Sequence, residues 1–190
     1  EGLIYSRVGK GTYVCPPKIN QALKSLSSFT EEMRQLGQRA SSRVLHAAVE
    51  PATEQVARAL TVLPGTEVVV LVRVRLADDL PIALESSHIL AALCPDILAN
   101  HDFAHESLYH VLRHDYGLRM TYAHQTIEAK VASETELKAL ECMPGTPILS
   151  IVRVTYTDSD QPIEYVRSAY RGDRYKFHTE LHLIEPAKQG

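Results

Sequence analysis

The chain has 190 residues, with 20 Lys+Arg against 23 Asp+Glu and a formal net charge of -3, which gives no electrostatic footprint for nucleic acid. Its length suits one substantial core, or two small domains at the limit. Three cysteines, Cys15, Cys94 and Cys142, make no paired pattern and read as reduced thiols of a cytoplasmic protein; no apolar run of membrane-spanning length and no signal-peptide pattern is read, so secretion and membrane insertion are not expected.

In chain order, residues 1–14 suggest short strands around a turn bracketed by Gly9 and Gly11. Because the pattern starts in mid-hairpin, these residues read as the remnant of an N-terminal domain. Residues 15–18, Cys15-Pro16-Pro17-Lys18, make a linker, since consecutive prolines resist both helix and ladder. Ser28-Phe29-Thr30-Glu31 then fits a capping box, with Met33 and Leu36 on the apolar face and Gly37 as the stop. Ser27 and Ser28 stand at the free N–H groups of that helix start, which is either a plain N-cap or an anion site. Ser42 to Val49 alternates as a strand, Pro51 interrupts it, and Thr53 caps a short helix whose Val56, Ala59, Leu60 and Leu63 face the core.

One unit of the chain occurs twice. Residues 63–75, LPGTEVVVLVRVR, return as residues 143–155, MPGTPILSIVRVT, at an offset of 80 from Pro64 to Pro144. After one extra residue in the second turn, Pro81-Ile82 falls on Pro162-Ile163. Each copy reads as a short helix, a PGT turn and a hairpin, the second helix opening on its own capping box, Ser133-Glu134-Thr135-Glu136. Two such units are expected to share one sheet and one core.

The first hairpin puts Arg73 and Arg75 on one face and Val72 and Val74 on the other. The two arginines either face water or clamp a phosphate or carboxylate, for which the guanidinium fork is suited. Glu85 joins that face or the opposite one according to the register across the Asp78-Asp79 turn, since a slip of one residue swaps sides. Further on, Ser107 and Tyr109 open a helix carrying Leu108, Val111 and Leu112, stopped by Gly117; Tyr109 serves either an anion or plain packing. Residues 119–131 alternate as a half-exposed antiparallel strand. The second hairpin places Glu164 with Val166, Ser168 and Tyr170, and residues 175–184 make a last strand before a polar end.

No nucleophile elbow, HExxH, P-loop or dinucleotide fingerprint is present, and no cofactor or metal is expected. His110 and His114 share a helix face, but no cysteine or clear carboxylate completes a metal set. Glu85 and Glu164 suit an acid–base pair only at a fitting separation. A binding module accounts for more of the pattern. Ser27, Ser28, Arg73, Arg75, Ser107 and Tyr109 are donors for a phosphate, while Glu85, Glu164 and Tyr170 suit hydroxyls of an attached organic part.

At Ser27-Ser28-Phe29-Thr30-Glu31-Glu32-Met33, Ser41-Ser42-Arg43-Val44-Leu45, both PGT units and Tyr170-Arg171-Gly172-Asp173-Arg174-Tyr175, the sequence resembles the effector-binding (UTRA) domain of GntR-type, HutC-subfamily repressors. The resemblance spans about residues 19–186, leaving residues 187–190 as a tail. Gly9 to Val14 also resembles the end of the wing of that family's winged helix-turn-helix domain. The resemblance implies a chorismate-lyase-like α/β (α+β) fold, mainly antiparallel and built from two helix-turn-hairpin units with flanking helices. It further implies a homodimer in a bacterial repressor that leaves operator DNA when an effector binds. In members that sense N-acetylglucosamine 6-phosphate or glucosamine 6-phosphate, positions matching Ser27, Ser28, Arg73, Ser107 and Tyr109 hold phosphate. Positions matching Arg75, Glu85, Glu164 and Tyr170 approach the sugar. An amino-sugar phosphate is therefore the first expectation, with another sugar phosphate or organic acid, a lyase on the same fold, or a purely dimerising domain as alternatives. Most of the DNA reader is missing, so operator contact is expected only through the absent N-terminal domain.

Overall fold

The computed structural model describes residues 4–7, 11–14, 18–23 and 26–181, the first two segments as backbone alone. Those segments are strands β1 (Ile4–Arg7) and β2 (Gly11–Val14), an antiparallel pair. The Gly9 turn, the prolines of the expected linker and residues beyond Leu181 lie outside the described residues.

A short strand, β3 (Ile19–Ala22), leads to α1 (Phe29–Gln35). Its capping box is formed: the Glu31 N–H donates to Ser28 Oγ at 3.1 Å, and the Ser28 N–H donates to the Glu31 carboxylate at 2.8 Å. Leu36 was expected on the buried face, but the helix ends before it and it is exposed, followed by Gly37 at φ 71°. The first repeat unit comprises β4 (Ala40–Pro51), α2 (Glu54–Leu60), β5 (Glu67–Ala77) and β6 (Leu80–Leu90). Pro51 ends β4 rather than breaking it, which an edge strand tolerates. Leu63 was expected to face the core and does not. The backbone turns left-handed at Thr61 (φ 56°), so Leu63 leaves the helical face and is 79% exposed.

A 3-10 turn over Ala91–Leu93 and α3 (Ile97–Asn100) come next, then α4 (Leu108–His114), capped by Ser107. The second unit repeats the first: β7 (Met120–Val131), α5 (Glu134–Leu140), β8 (Pro147–Thr157) and β9 (Pro162–Arg171). Finally β10 (Tyr175–His178) pairs in parallel with β3, fastening the first described side chains to the last element.

The two units form one six-stranded antiparallel sheet in the order β4-β5-β6-β9-β8-β7, so the pseudo-symmetry axis falls between β6 and β9. Each unit's helix crosses that axis, α2 packing on β9 and α5 on β6, which interlocks the copies into one core. One face buries Val56, Leu60, Val70 and Tyr165, with Leu140, Val74, Ile148 and Ala169 beside them. The other face is covered by α1 and α4: Phe29 and Met33 pack on Ala83, Ile151 and Tyr170, while Leu108 and Leu112 pack on Val69, Leu71 and Ile89. The alternating parity expected of Arg73 and Arg75 therefore points both at the α1/α4 layer.

Both PGT turns rest on a left-handed glycine, Gly65 at φ 86° and Gly145 at φ 84°, with open space where a Cβ would stand. The requirement is on the backbone and not on packing. Gly65→Ala and Gly145→Ala are each expected to cost about 1–2 kcal/mol, read as matching falls in the urea unfolding midpoint. A loss at only one turn would show that the copies are not equivalent.

Candidate functional site

Arg73 lies in the middle of β5 and Glu85 directly across from it on β6. The Asp78-Asp79 turn, with φ 47° and 65°, would on its own leave Glu85 opposite Val72 and on the far face. A register shift just beyond Arg75 pairs Arg75 with Ala83 and leaves Ile82 as the extra residue, so Glu85 comes round to the arginines. The second unit repeats the device: Tyr156 pairs with Pro162, Thr155 with Glu164, and Ile163 is extra. The shared Pro-Ile pair is thus a repeated bulge that aims one carboxylate of each hairpin inward.

Arg73 is 1% exposed and donates through Nη2 to Glu85 Oε1 at 2.6 Å. Arg75 donates to the same oxygen at 3.3 Å and to Thr30 Oγ1 at 3.2 Å, with its guanidinium 4.7 Å from the centre of the Phe29 ring. Burial would push the Glu85 carboxyl up, but Arg73, Arg75 and Arg153 together hold it at about 2. Burial, joined by the like charge of Arg75, brings Arg73 down to about 10. Glu164, on β9, accepts from the Tyr109 hydroxyl at 2.8 Å and from Thr155 at 3.2 Å. Burial raises its pKa against the pull of Arg153 and the Tyr109 hydrogen bond.

The caps of α1 and α4 meet above this pair of strands, with Ser107 Oγ 3.4 Å from Ser28 Oγ. Arg113 ties the two helices by donating to Glu31 at 3.1 Å. Under them lie two adjoining hollows. The first, with a cavity volume of about 20 Å³, is lined by Ser28, Arg73, Arg75, Ser107, Tyr109 and Glu164 among others. The second, also about 20 Å³, is lined by Ser27, Glu32, Gln125, Ser168 and Tyr170 among others. Phe29, Glu85 and Arg153 border both. The nine residues singled out in the sequence therefore fall on two hollows that share part of their lining. Ser27 stands apart from the other proposed phosphate donors, because its hydroxyl donates to Glu32 at 2.6 Å.

Four buried donor atoms in this region have no hydrogen-bond partner among the described residues: Arg73 Nε and Nη1, Arg75 Nε and Arg153 Nε. Such atoms are costly to bury unless something accepts from them. Arg153 was absent from the sequence-derived set, although it occupies in β8 the place Arg73 holds in β5 and its guanidinium lies 5.5 Å from the centre of the Tyr109 ring. Its signal was the repeat itself, since equivalent places put both arginines on one face. A wider groove on the opposite face, between α2 and α5, carries none of these buried arginines. Among the described residues no three His, Cys, Asp or Glu side chains come together to hold a metal ion, and no helix is long and apolar enough to cross a membrane.

The family profile of the UTRA domain matches residues 35–176. The chain belongs to the UTRA domain family. Ser27 and Ser28 precede the matched stretch, while the other seven sequence-derived site residues fall within it. This UTRA domain is 37% identical over 177 residues to the HTH-type transcriptional repressor NagR of Bacillus subtilis, covering 93% of this chain and 72% of that protein. It is 33% identical over 182 residues to the HTH-type transcriptional repressor PhnF of Mycolicibacterium smegmatis, covering 95% and 73%. The crystal structure of PhnF from Mycobacterium smegmatis superposes with a TM-score of 0.82 at 32% identity, covering 96% of this chain and 80% of that one. The UTRA domain is the effector-binding part of a GntR-type, HutC-subfamily transcriptional regulator.

Proposed function

We propose that this domain senses a small phosphorylated sugar, with N-acetylglucosamine 6-phosphate or glucosamine 6-phosphate first, and that binding releases the full-length regulator from operator DNA. The observation that carries this is Arg73, nearly sealed from water with two N–H groups unpartnered, beside the free Nε of Arg75. A phosphate supplies the acceptors that these donors lack, and the planar fork suits it. Ser28, Ser107 and Tyr109 border the same hollow, so phosphate is assigned there, and Ser27, also assigned to the phosphate, would have to leave Glu32 in the adjoining hollow to reach it. Arg75, Glu85, Glu164 and Tyr170 approach the sugar.

Relatives named as a histidine utilization repressor and as a mannosyl-D-glycerate transport/metabolism system repressor serve chemically different systems. The choice of ligand therefore rests on the residues of this site. Residues 1–14 are assigned to a DNA-reading domain's wing, residues 15–18 to a linker and residues 19–186 to the effector domain. The full-length regulator acts as a cytoplasmic homodimer.

Calorimetry of the chain with the two amino-sugar phosphates, glucose 6-phosphate and unphosphorylated N-acetylglucosamine tests the reading. Saturable heat is expected with the phosphorylated sugars and none with the unphosphorylated one. No saturable heat with any sugar phosphate would sink the proposal. With the full-length regulator, the fall in operator affinity on adding sugar phosphate gives the coupling as a ratio of affinities.

A further inference from the structure

The groove between α2 and α5 lies on the face of the sheet turned away from Arg73 and encloses about 450 Å³, a volume that suits a small organic ligand. Its floor is the middle of the sheet. Ser86 and Arg167 hold equivalent places in the two copies and pair directly across β6 and β9, where the pseudo-symmetry axis passes. One copy thus presents a hydroxyl there and the other a guanidinium.

Arg167 is exposed and has neither an ion pair nor a hydrogen bond among the described residues. Beside it His88 pairs with Tyr165, the ring centres 5.8 Å apart. The His88 Nδ1 is buried without a hydrogen-bond partner, and the Tyr165 hydroxyl, which accepts from Gln55 at 3.0 Å, donates to nothing among the described residues. At the α5 end Lys130 pairs with Glu136 at 2.7 Å, and the other Glu136 oxygen accepts from Ser133. The guanidinium of Arg167 is therefore the one uncompensated charge of the lining, and Val56, Val72, Leu84 and Ala169 supply apolar surface.

This set suits a monoanion with an apolar body. A carboxylate accepts two parallel N–H bonds from one guanidinium and cancels its charge, with the Tyr165 O–H and the His88 nitrogen in reserve. A phosphate dianion would keep one charge uncompensated, and a cation would meet Arg167. The Gln55 amide oxygen is also without a partner among the described residues; being uncharged, it suits a hydroxyl or N–H on the ligand's body.

We propose that the groove between α2 and α5 is a second small-molecule site, taking a carboxylate with a compact apolar body on Arg167, Tyr165 and His88. It stands independently of the sugar-phosphate reading. An occupant would rest on β6 and β9, the strands that carry Glu85 and Glu164 on their reverse face.

The test is calorimetry of the chain with three probes that share one body and differ in the head group: naphthoate, naphthamide and naphthyl phosphate. Saturable heat is expected with naphthoate, binding at least about tenfold weaker with the uncharged amide, the scale of one charge-assisted hydrogen bond, and no gain with the phosphate. Arg167→Met is expected to weaken naphthoate by at least about tenfold, to the level of the amide. Because Arg167 has no partner to lose, the urea midpoint of that variant should match the parent's. Tyr165→Phe removes one donor and should weaken naphthoate about threefold, which decides the matter if Arg167→Met does not fold. No saturable heat with naphthoate, an amide that binds as well, or unchanged affinity in the folded variants overturns the site. Tightest binding of the phosphate overturns the carboxylate assignment, and naphthoate affinity that falls as the chain is concentrated assigns the groove to a second copy instead.

Discussion

Arg73→Met is expected to weaken sugar-phosphate binding by at least about thirtyfold, since truncating one partner of a buried, hydrogen-bonded charge pair costs roughly 2–5 kcal/mol. The loss should exceed that at Arg75→Met. Arg75 hydrogen-bonds Thr30 as well as Glu85 and lies closer to a ring, 4.7 Å from the centre of Phe29, with one nitrogen unpartnered, whereas Arg73 hydrogen-bonds only Glu85, lies 5.9 Å from the centre of the Phe103 ring and leaves two nitrogens free. More of the donor capacity of Arg73 is therefore waiting for a ligand. Arg73→Lys keeps a charge but not the planar fork, and should fall between the parent and Arg73→Met. Calorimetry with one sugar phosphate across the three variants checks the order. Unchanged affinity in Arg73→Met would remove the anion site from this hollow, and a larger loss at Arg75 would move it toward α1.

Why this site was only partly legible in the sequence comes down to one bulge. The repeat, both capping boxes and the parity of Arg73 with Arg75 are local signals, carried by residues a few places apart, and they survive folding. The side of the sheet taken by Glu85 is not local. It depends on the extra residue at Ile82, which nothing in a period-two pattern announces. The repetition of Pro-Ile at 162–163 hinted that the pair has a structural task, but not which. Arg153 is the complementary case. Its position was legible as the echo of Arg73, but its part in the site needed α4 to bring Tyr109 over β8. Leu36 and Leu63 show the limit of helical spacing: it extends a face past the point where the backbone has already turned away.

The second large effect concerns stability, and it comes from Glu85. Its carboxyl sits at about 2 in the folded chain against an ordinary value of 4.5. A carboxylate held down in this way stabilises the fold fully above its unfolded pKa, and that contribution is lost as pH falls through the folded one; here it is about 3 kcal/mol near neutral pH. Glu164 and Glu32 act in the opposite sense. Burial raises both, so their proton binding favours the folded state below the unfolded value, and that advantage is lost as pH rises through the folded one. The parent should therefore lose stability in acid less steeply than Glu85 alone would dictate. Glu85→Gln strands two buried arginines, which costs roughly 3–5 kcal/mol when a buried partner is removed. Urea unfolding from neutral pH into acid should show the variant far less stable than the parent at neutral pH, and the gap narrowing as the parent's Glu85 is protonated between about 4.5 and 2. A gap that stays constant across that window would mean that the side chain's shape, and not its charge, holds Arg73 and Arg75 in place. A phosphorylated ligand brings its own negative charge to the same arginines, so it should raise the melting temperature of Glu85→Gln by more than that of the parent. An equal rise would argue that the ligand's charge does not reach the guanidinium groups that Glu85 neutralises.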